Sequence, residues 1–366
     1  MKILYVTRKY PPAVGGMETA AYELNRALQP LASVCLIKYG GPNKYLPVVY
    51  PVIFLRALFT ALWFRPHVIY LQDGMLAPMG VVLKALTRKP CVMSVHGLDV
   101  TFKNKHYQKA IRYCFPKMNL IVVGSGQTYE AVHSRFPQIS PATVTYGVRD
   151  RFFSDRSRQE LRGELANELG LPDDDLKNNK IIVTTGRLVK RKGVAWFVDA
   201  VMPSLAKEYP STRYLIAGNG PDKEKIAALI KKHGLEQQVI QLGYISDTAR
   251  NLLYSTADIF LMPNIPVPGD MEGFGLVALE AASCGTPVFA SGIEGIVDAV
   301  ADGKTGRLLP AQDAATYQTA LAQELQNPTF DRAKVREYVL ENYTWEHTAQ
   351  GYLKLFSDTI ESARKR

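Results

Sequence analysis

The chain has few cysteines, and they lie far apart. Cys35, Cys91, Cys114 and Cys284 form no Cys-x-x-Cys pair and no cysteine–histidine spacing typical of a metal site. In a chain of 366 residues they predict reduced, buried thiols of a cytosolic protein. The apolar fraction of 47% and the charged fraction of 21% exclude a disordered or collagen-like chain.

Targeting and membrane-spanning patterns are also scarce. Only five strand-like residues, 3–7, separate Lys2 from Arg8, so no signal peptide is predicted. The longest apolar run, 46–64, contains Arg56 and prolines at positions 47 and 51. This leaves about 13 residues suited to a helix, whereas a bilayer span needs about 20. We therefore expect a buried or interfacial helix there.

Acidic residues are rare in the first part of the chain. Residues 1–150 hold 18 lysines and arginines against six acidic residues, whereas the remainder holds 26 against 28. The net charge of +10 therefore resides in the first part, which indicates an anionic surface partner. No helix-turn-helix, zinc-finger or RNP pattern is present, so we expect a membrane surface and no nucleic acid.

Short apolar strands alternate with helices in two successive series. The first predicted series is 2–7, 34–38, 67–71, 91–95, 120–123 and 143–145, with helices over 18–28, 52–64 and 79–86. The second is 181–185, 213–217, 239–242, 259–262 and 287–290, after a polar linker near 150–178. Uniformly apolar strands between helices predict an α/β protein with two parallel-sheet, Rossmann-like domains facing a cleft. Ligands of such sheets lie at the carboxyl ends of the strands.

The first strand is followed by a loop with two prolines and two glycines. The N–H groups of Gly15, Gly16 and Met17 could hold an anion at the start of helix 18–28. A plain turn capped by Glu18 is an equal alternative. Because the loop lacks the G-x-G-x-x-G pattern and its acidic partner, a dinucleotide dehydrogenase is disfavoured.

A second loop, His96-Gly97-Leu98-Asp99, follows strand 91–95. A histidine at the end of a strand can hydrogen-bond a sugar hydroxyl or respond to a developing charge. A structural role for His96 remains an equal alternative.

A third loop follows strand 181–185 and leads into a predicted helix over 194–206. Arg187 and Lys192 could clamp a diphosphate at the start of that helix. A solvated basic turn would account for Lys190 and Arg191, but less well for Arg187. The turn Gly218-Asn219-Gly220, after strand 213–217, could allow a nucleotide to approach closely.

The most informative segment runs from Glu272 to Glu280. From residue 273 to residue 293, Glu280 is the only charged residue. An isolated carboxylate in an apolar helix needs a hydrogen-bond donor, and the hydroxyls of a ribose are suitable. Glu272 directly precedes a helix start, Gly273-Phe274-Gly275-Leu276, whose N–H groups could meet phosphate. Two capping or paired glutamates are the structural alternative.

Metal ligands are not evident. The acidic run Asp173-Asp174-Asp175 lies in the polar linker and predicts a solvated turn or a helix cap. We therefore expect no metal and no cofactor, with the nucleotide-sugar acting as substrate.

Taken together in chain order, these motifs resemble those of the retaining glycosyltransferases of family four, which have the GT-B fold. The segments Gly306-Arg307-Leu308-Leu309 and Tyr343-Thr344-Trp345-Glu346 extend the resemblance over nearly the whole chain. It implies an acceptor-binding domain over 1–168 completed by a C-terminal helix, 350–366, and a donor-binding domain over 169–349.

The resemblance also implies roles for the donor-domain residues. Arg187 and Lys192 would bind the donor diphosphate, Glu280 the ribose, and Glu272 the transferred sugar. The full predicted donor set is Gly15, Gly16, Arg187, Lys192, Gly218, Asn219, Gly220, Glu272, Gly273, Phe274, Gly275, Leu276 and Glu280.

His96 would lie near the 6-hydroxyl of the sugar, so the catalytic set is His96, Glu272, Arg187 and Lys192. No side chain stands out as a covalent nucleophile, which agrees with the front-face mechanism usually proposed for the family.

Two features depart from the usual pattern. Tyr146-Gly147-Val148-Arg149 stands where the family often has Asn-Gly-Val-Asp, so contacts from that loop are in doubt. The approach to Glu272, residues 264–271, is longer than in many members. It resembles the loop of phosphatidylinositol-mannoside mannosyltransferases, which use GDP-mannose, and leaves UDP- and GDP-sugars both open.

The segment 102–117 interleaves cations with aromatic residues and suggests an acceptor at a membrane. Lys103, Lys105, Lys109 and Arg112 would contact an anionic surface. A solvated helix is an equal alternative. We expect a lipid-linked or envelope-glycan acceptor, and a cytoplasmic enzyme peripheral at the inner face of the membrane.

Two other functions are compatible with the same fold. Nucleotide-sugar 2-epimerases use additional carboxylates and histidines, of which the first domain offers chiefly Asp73, His96 and Asp99. A catalytically inactive sensor is disfavoured because Arg187, Lys192 and His96 are all present.

Overall fold

The computed structural model describes residues 1–149 and 156–365, with the side chains of Asp173 and Asp174 excepted. The described chain divides into two compact units, each built on a six-stranded parallel sheet with helices around it. This confirms the predicted α/β class with two Rossmann-like domains.

The first unit comprises Met1–Gly147 and Tyr343–Arg366. Its sheet has the strand order β2-β1-β3-β4-β5-β6. The strands are β1 (Lys2–Thr7), β2 (Ser33–Lys38), β3 (Val68–Leu71), β4 (Cys91–Val95), β5 (Leu120–Val123) and β6 (Ala142–Thr143). The helices are α1 (Gly16–Leu28), α2 (Leu46–Phe64), α3 (Ala77–Thr87), α4 (Gly97–Thr101), α5 (Lys105–Cys114), α6 (Gly126–Arg135) and the C-terminal α17 (Trp345–Arg364).

The second unit comprises Val148–Asn342, and its sheet has the order β12-β11-β10-β7-β8-β9. The strands are β7 (Lys180–Thr185), β8 (Thr212–Ala217), β9 (Val239–Gly243), β10 (Ile259–Met262), β11 (Val288–Ser291) and β12 (Gly306–Leu309). The helices are α7 (Arg158–Leu169), α8 (Asp173–Lys177), α9 (Val194–Ala200), α10 (Met202–Glu208), α11 (Lys223–Lys232), α12 (Asp247–Thr256), α13 (Leu276–Ser283), α14 (Ile296–Ala299), α15 (Ala314–Gln326) and α16 (Arg332–Asn342).

The central strands are buried along their whole length. Every residue of β3, β4 and β10 is buried, because helices cover both faces of each sheet. Fully burying a Val, Leu, Ile or Phe side chain stabilises the fold by about 1.5–3 kcal/mol. The sheets therefore hold the loops at their carboxyl edges on a rigid base.

Helix α2 is longer than the sequence predicts. It runs for 19 residues through Pro51, whereas only about 13 residues after that proline were expected to be helical. Pro47 lies in the first turn, where its missing N–H costs nothing, and the burial of Ile53, Ala57 and Ala61 holds the remainder on the sheet. The helical stretch Asn43–Phe64 has a mean hydropathy of 1.7, and by length and composition it could cross a membrane.

The division between the units falls after residue 147, not after residue 168 as expected from sequence. Helix α7 packs against α12, and the side chains of Arg158 and Arg162 bond to the Asp258 carboxylate at 3.0 and 2.7 Å. Burial raises the pKa of Asp258, but the two arginines outweigh it and hold that pKa below its usual value. Residues 158–169 therefore belong to the second unit. Residues 150–155 of the expected linker lie outside the described residues.

The C-terminal helix belongs to the first unit, as predicted, but α17 begins at Trp345 and not at residue 350. Tyr352 Oη lies 2.8 Å from Ser94 Oγ, which in turn lies 2.6 Å from Tyr70 Oη. These buried hydrogen bonds join the last helix to β3 and β4.

Candidate functional site

A partly buried ion pair lies at the carboxyl edge of the second sheet. Lys192 ends a short turn after β7, and its Nζ lies 2.6 Å from Glu272 Oε2, in the loop between β10 and α13. Both side chains are 13% exposed. The same oxygen accepts a hydrogen bond from Asn264 Nδ2 at 3.3 Å and lies 3.5 Å from Arg191 Nε. The structure thus brings together two of the four predicted catalytic residues.

The surroundings keep Glu272 ionised. Burial raises the pKa of its carboxyl, but the charges of Lys192 and Arg191 outweigh that effect and hold the pKa below its usual value. Glu294 behaves in the opposite way. Burial raises the pKa of Glu294. A hydrogen bond from the Glu272 N–H lowers this pKa, but the negative charge of Glu272 raises it, so it lies above its usual value.

Three partners of Glu272 were missed from sequence. Asn264 and Glu294 were not singled out, and a solvated basic turn was the alternative that would account for Arg191. That alternative does not hold for Arg191, which is 17% exposed and also pairs with Asp270 at 3.1 Å. The sequence contained one signal. Glu294 is the first charged residue after residues 273–293, in which Glu280 is the only charged residue.

Arg187 differs from its neighbours in the same loop. It is exposed just after β7, and among the described residues no hydrogen bond or ion pair engages its side chain. Its guanidinium is therefore available to an anion, whereas Lys192 already neutralises Glu272.

The turn Gly218-Asn219-Gly220 packs directly on the Arg187 loop. A Cβ atom on Gly218 would lie 1.8 Å from the carbonyl oxygen of Gly186, and the φ of Gly218 is +143°. The Leu188 N–H donates to Asn219 O at 2.9 Å. Glycine is thus required by the contact between two backbone segments, and a contact of this turn with nucleotide stays a prediction.

Glu280 has a protein partner. Tyr254 Oη donates to Glu280 Oε2 at 3.2 Å and lies 2.6 Å from Thr185 Oγ1, at the end of β7. Burial, followed by the charge of Glu280, raises the pKa of Tyr254, so its hydroxyl remains a donor. The isolated carboxylate therefore does not require a ligand to be satisfied, although it can still accept from one.

Helix α13 begins at Leu276, three residues later than the start that the sequence placed directly after Glu272. Gly275 caps the helix with a φ of +94°, and Leu276 is the first helical residue. The N–H groups of a first helical turn have no partner within their own helix and attract anions. Phe274 is buried, and the Gly273 carbonyl lies against Gly295.

In the first unit, both ring nitrogens of His96 are engaged. Nε2 lies 2.9 Å from Gln72 O, and Nδ1 lies 2.7 Å from Tyr146 Oη. A carbonyl oxygen can accept but cannot donate, so the neutral ring carries its proton on Nε2 and accepts at Nδ1. Burial raises the pKa of Tyr146, which keeps its hydroxyl protonated. A hydrogen bond from His96 to a sugar would replace one of these partners.

Two buried carboxylates lie close to His96. Asp73 accepts from Arg8 Nε at 3.0 Å, and Asp99 accepts from the His96 N–H at 2.9 Å. Burial, followed by the charge of Asp73, raises the pKa of Asp99. The polar residues predicted at the ends of β3 and β4 are thus brought together in the first unit.

In the loop before α1, the Glu18 side chain lies against Gly15. The Glu18 carboxylate lies so close to Gly15 that a Cβ there would be 2.4 Å from Glu18 Oε2. Lys9 Nζ pairs with the same carboxylate at 3.0 Å. Both the capped turn and anion binding by Gly15 and Gly16 stay predictions.

The predicted membrane-contact cations lie on and beside α5. Lys105, Lys109 and Arg112 are exposed on this helix, while Ile111 is buried, and Lys103 is exposed just before it. The helix is therefore amphipathic with a basic outer side.

No group of three His, Cys, Asp or Glu side chains that could hold a metal occurs within residues 1–149 and 156–365. Asp175 pairs with Arg213 at 2.8 Å, and the side chains of Asp173 and Asp174 lie outside the described residues. Metal independence stays a prediction.

Comparison with known proteins supports the resemblance found in the sequence. Residues 172–359, more than half of the chain, match the model of the family described as Glycosyl transferases group 1. The chain is 25% identical to an uncharacterised glycosyltransferase of Methanocaldococcus jannaschii, with 99% of each protein aligned. It is 28% identical to the GDP-mannose-dependent alpha-(1-6)-phosphatidylinositol monomannoside mannosyltransferase of Mycolicibacterium smegmatis, over 78% of this chain and 75% of that protein.

A crystal structure of Anabaena HepE in complex with UDP has the same fold. The TM-score is 0.77 at 18% identity, covering 98% of this chain and all of the other. This likeness confirms the GT-B fold. The epimerase alternative finds no support in these matches.

Proposed function

The chain belongs to the glycosyl transferases group 1 family, and we propose that it transfers a hexosyl group from a UDP- or GDP-sugar with retention of configuration. The acceptor in this proposal is lipid-linked or an envelope glycan, the reaction needs no metal, and the enzyme acts at the inner face of the cell membrane.

The observation that carries the proposal is the partly buried pair of Lys192 with Glu272 beside the start of α13. A carboxylate with a lowered pKa stays ionised at neutral pH and accepts hydrogen bonds from sugar hydroxyls. Lys192 and the exposed Arg187 supply two cations for a diphosphate. At about 4 Å and an effective dielectric near 20, each charge pair is worth about 4 kcal/mol.

The reaction that fits these groups breaks the bond between the anomeric carbon and the diphosphate oxygen. A bond forms from the acceptor oxygen to the same face of that carbon. The acceptor proton passes to the departing phosphate, whose developing charge Arg187 and Lys192 stabilise. His96 is proposed to bond the sugar's 6-hydroxyl in exchange for one of its present partners.

The nucleotide base stays open between two choices. The mycobacterial relative is named as GDP-mannose-dependent, and the Anabaena structure contains UDP. The name of the same relative specifies a phosphatidylinositol-linked acceptor, which supports a lipid-linked acceptor here. The exposed Lys103, Lys105, Lys109 and Arg112 would lie near an anionic membrane.

Incubation with UDP-glucose, UDP-N-acetylglucosamine and GDP-mannose, each with a membrane lipid extract, tests the proposal. Mass spectrometry should show one donor consumed and a lipid product heavier by one hexosyl unit, with the rate unchanged by a chelator. NMR of the product should show the donor's anomeric configuration. An inverted product, or no consumption of any donor, would contradict the proposal.

A matched pair of variants tests the assignment of the cations. Arg187→Met should weaken binding of the preferred nucleoside diphosphate by about tenfold or more, since it removes one charged hydrogen-bond partner. Lys190→Met removes an exposed cation from the same turn and should leave affinity within about twofold. Equal effects of the two substitutions would remove Arg187 from the site.

A further inference from the structure

Helix α2 exposes an apolar side. Val48, Val52, Leu55, Phe59, Leu62 and Trp63, which we call the α2 outer face, are each 52–76% exposed. Their spacing places them on one side of the helix, opposite the buried Ile53, Ala57 and Ala61. A helix on a domain surface normally turns polar residues to water, and one that is apolar all round is normally covered.

The neighbouring helices extend this surface. Helix α2 packs against α3, and α3 packs against α5, so the three form one layer. Val82 and Leu86 of α3 are also exposed, and beyond them lie the exposed cations of α5. An apolar region thus adjoins a basic one on the same layer.

The three helices of this layer carry charge of one sign, because α2, α3 and α5 contain Arg56, Lys84, Lys105, Lys109 and Arg112 and no acidic residue. Residues 24–129 contain 13 lysines and arginines, and their only acidic residues, Asp73 and Asp99, are both buried. Cations also flank α2, with Lys44 over the ring of Tyr45 at one end and the exposed Arg65 at the other. This surface therefore complements an anionic partner.

We propose that the α2 outer face inserts into the interfacial region of a bilayer that contains anionic lipids, with the α5 cations on the adjacent headgroups. Because the opposite side of α2 is packed on the sheet, the helix lies in the plane of the membrane and does not cross it. A second copy of the chain fits less well, since pairing two such layers would bring like charges together. The inference deepens the proposed function by naming the surface that meets a lipid-linked acceptor.

Vesicle co-sedimentation of the full chain tests this surface. The wild type should bind vesicles of mixed phosphatidylglycerol and phosphatidylcholine and should bind pure phosphatidylcholine far less. Leu55→Gln/Phe59→Gln/Leu62→Gln should lower the partition to anionic vesicles by about tenfold or more, because it removes the apolar contacts. Lys105→Gln/Lys109→Gln/Arg112→Gln should lower it by a similar factor and reduce its salt dependence.

The control variant Leu31→Gln/Tyr244→Gln replaces exposed apolar residues outside the layer and should bind vesicles as the wild type does. Circular dichroism should show that the α2 variant is folded, which is expected since its three side chains are exposed. A wild type that ignores anionic vesicles, or an α2 variant that still binds them, overturns the inference. A wild-type dimer that the α2 substitutions convert to a monomer, without lipid binding, assigns the face to self-association and also overturns it.

Nucleotide-sugar turnover measured on the same preparations separates the two proposals. Vesicle binding without use of any donor would refute the transferase function alone. Donor use without vesicle binding would refute the membrane surface alone.

Discussion

The pair of Lys192 with Glu272 lends itself to a double-mutant cycle of Lys192→Met, Glu272→Gln and both together. At the observed 2.6 Å, and with an effective dielectric near 20, the attraction between the two charges is about 6 kcal/mol before the cost of burying them. Either single substitution leaves one charge buried without its main partner. We expect each to lower the free energy of unfolding of the second unit by about 3 kcal/mol.

The loss of unfolding free energy in the double variant should be smaller than the sum of the two single losses by about 2 kcal/mol, because neither charge then remains. Arg191, at 3.5 Å, limits the loss in Lys192→Met by retaining a partner for Glu272. Thermal unfolding at pH 7 should lower Tm by about 6 °C or more for each single variant, at about 2–4 °C per kcal/mol. Strictly additive losses would refute the reasoning.

The two single variants should also differ in nucleotide affinity and turnover. Glu272→Gln removes a negative charge beside Lys192, so affinity for the nucleoside diphosphate should hold or rise while turnover falls by about a hundredfold. Lys192→Met should weaken nucleotide affinity. A loss of nucleotide binding in Glu272→Gln, measured by calorimetry, would contradict a role of Glu272 at the sugar.

The pair also predicts a pH dependence. Because the pKa of Glu272 is lower in the folded chain than its usual 4.5, the carboxylate stabilises the fold in full above that value. This contribution is lost as the pH falls through the folded pKa. Acid titration monitored by circular dichroism should therefore destabilise the wild type more than Glu272→Gln below about pH 4.5.

Three further outcomes are expected. Tyr146→Phe removes the partner of His96 Nδ1, so turnover should fall by about tenfold and the tautomer ratio seen by nitrogen NMR should change, with little loss of stability. Gly218→Ala places a Cβ against backbone and should lower the free energy of unfolding by about 3 kcal/mol or more. Gly234 has open space around it, so Gly234→Ala should lower that free energy by about 1 kcal/mol, as measured by chemical denaturation. Glu280→Gln should reduce the preference for UDP or GDP over the 2′-deoxy nucleotide, measured by calorimetry, if this carboxylate reads the ribose.

The sheets were predictable because their strands are short and apolar throughout. Strands 91–95, 120–123 and 259–262 coincide with β4, β5 and β10, since burial on both faces leaves no alternative environment for such runs. The helix predicted over 194–206 instead splits into α9 and α10 at Val201, and Pro203 lies in the first turn of α10. Local breaks of this kind depend on packing that periodicity does not report.

The site was predictable only in part. Strand-end position singled out Lys192 and Glu272, because parallel sheets gather their ligand-binding loops at one edge. Their shared contacts with Arg191 and Asn264 could not be predicted, since those contacts depend on how two loops distant in sequence are packed. The sequence left helix α2 open between a buried and an interfacial helix for a related reason: an apolar run in sequence does not reveal which residues remain uncovered.

At the proposed donor site, the distribution of cations would let one loop contact both the diphosphate and the sugar of a sugar-nucleotide. Lys192 and Arg191 both face Glu272, whereas Arg187 faces solvent. In the proposed complex, Lys192 would contact the diphosphate as well as Glu272. Because Lys192 would then neutralise Glu272 less fully, the carboxylate would be a stronger acceptor for a sugar hydroxyl. Arg191, held by Asp270, keeps Glu272 ionised throughout. In the proposed reaction, recognition of the diphosphate and of the sugar would therefore be coupled through a single lysine.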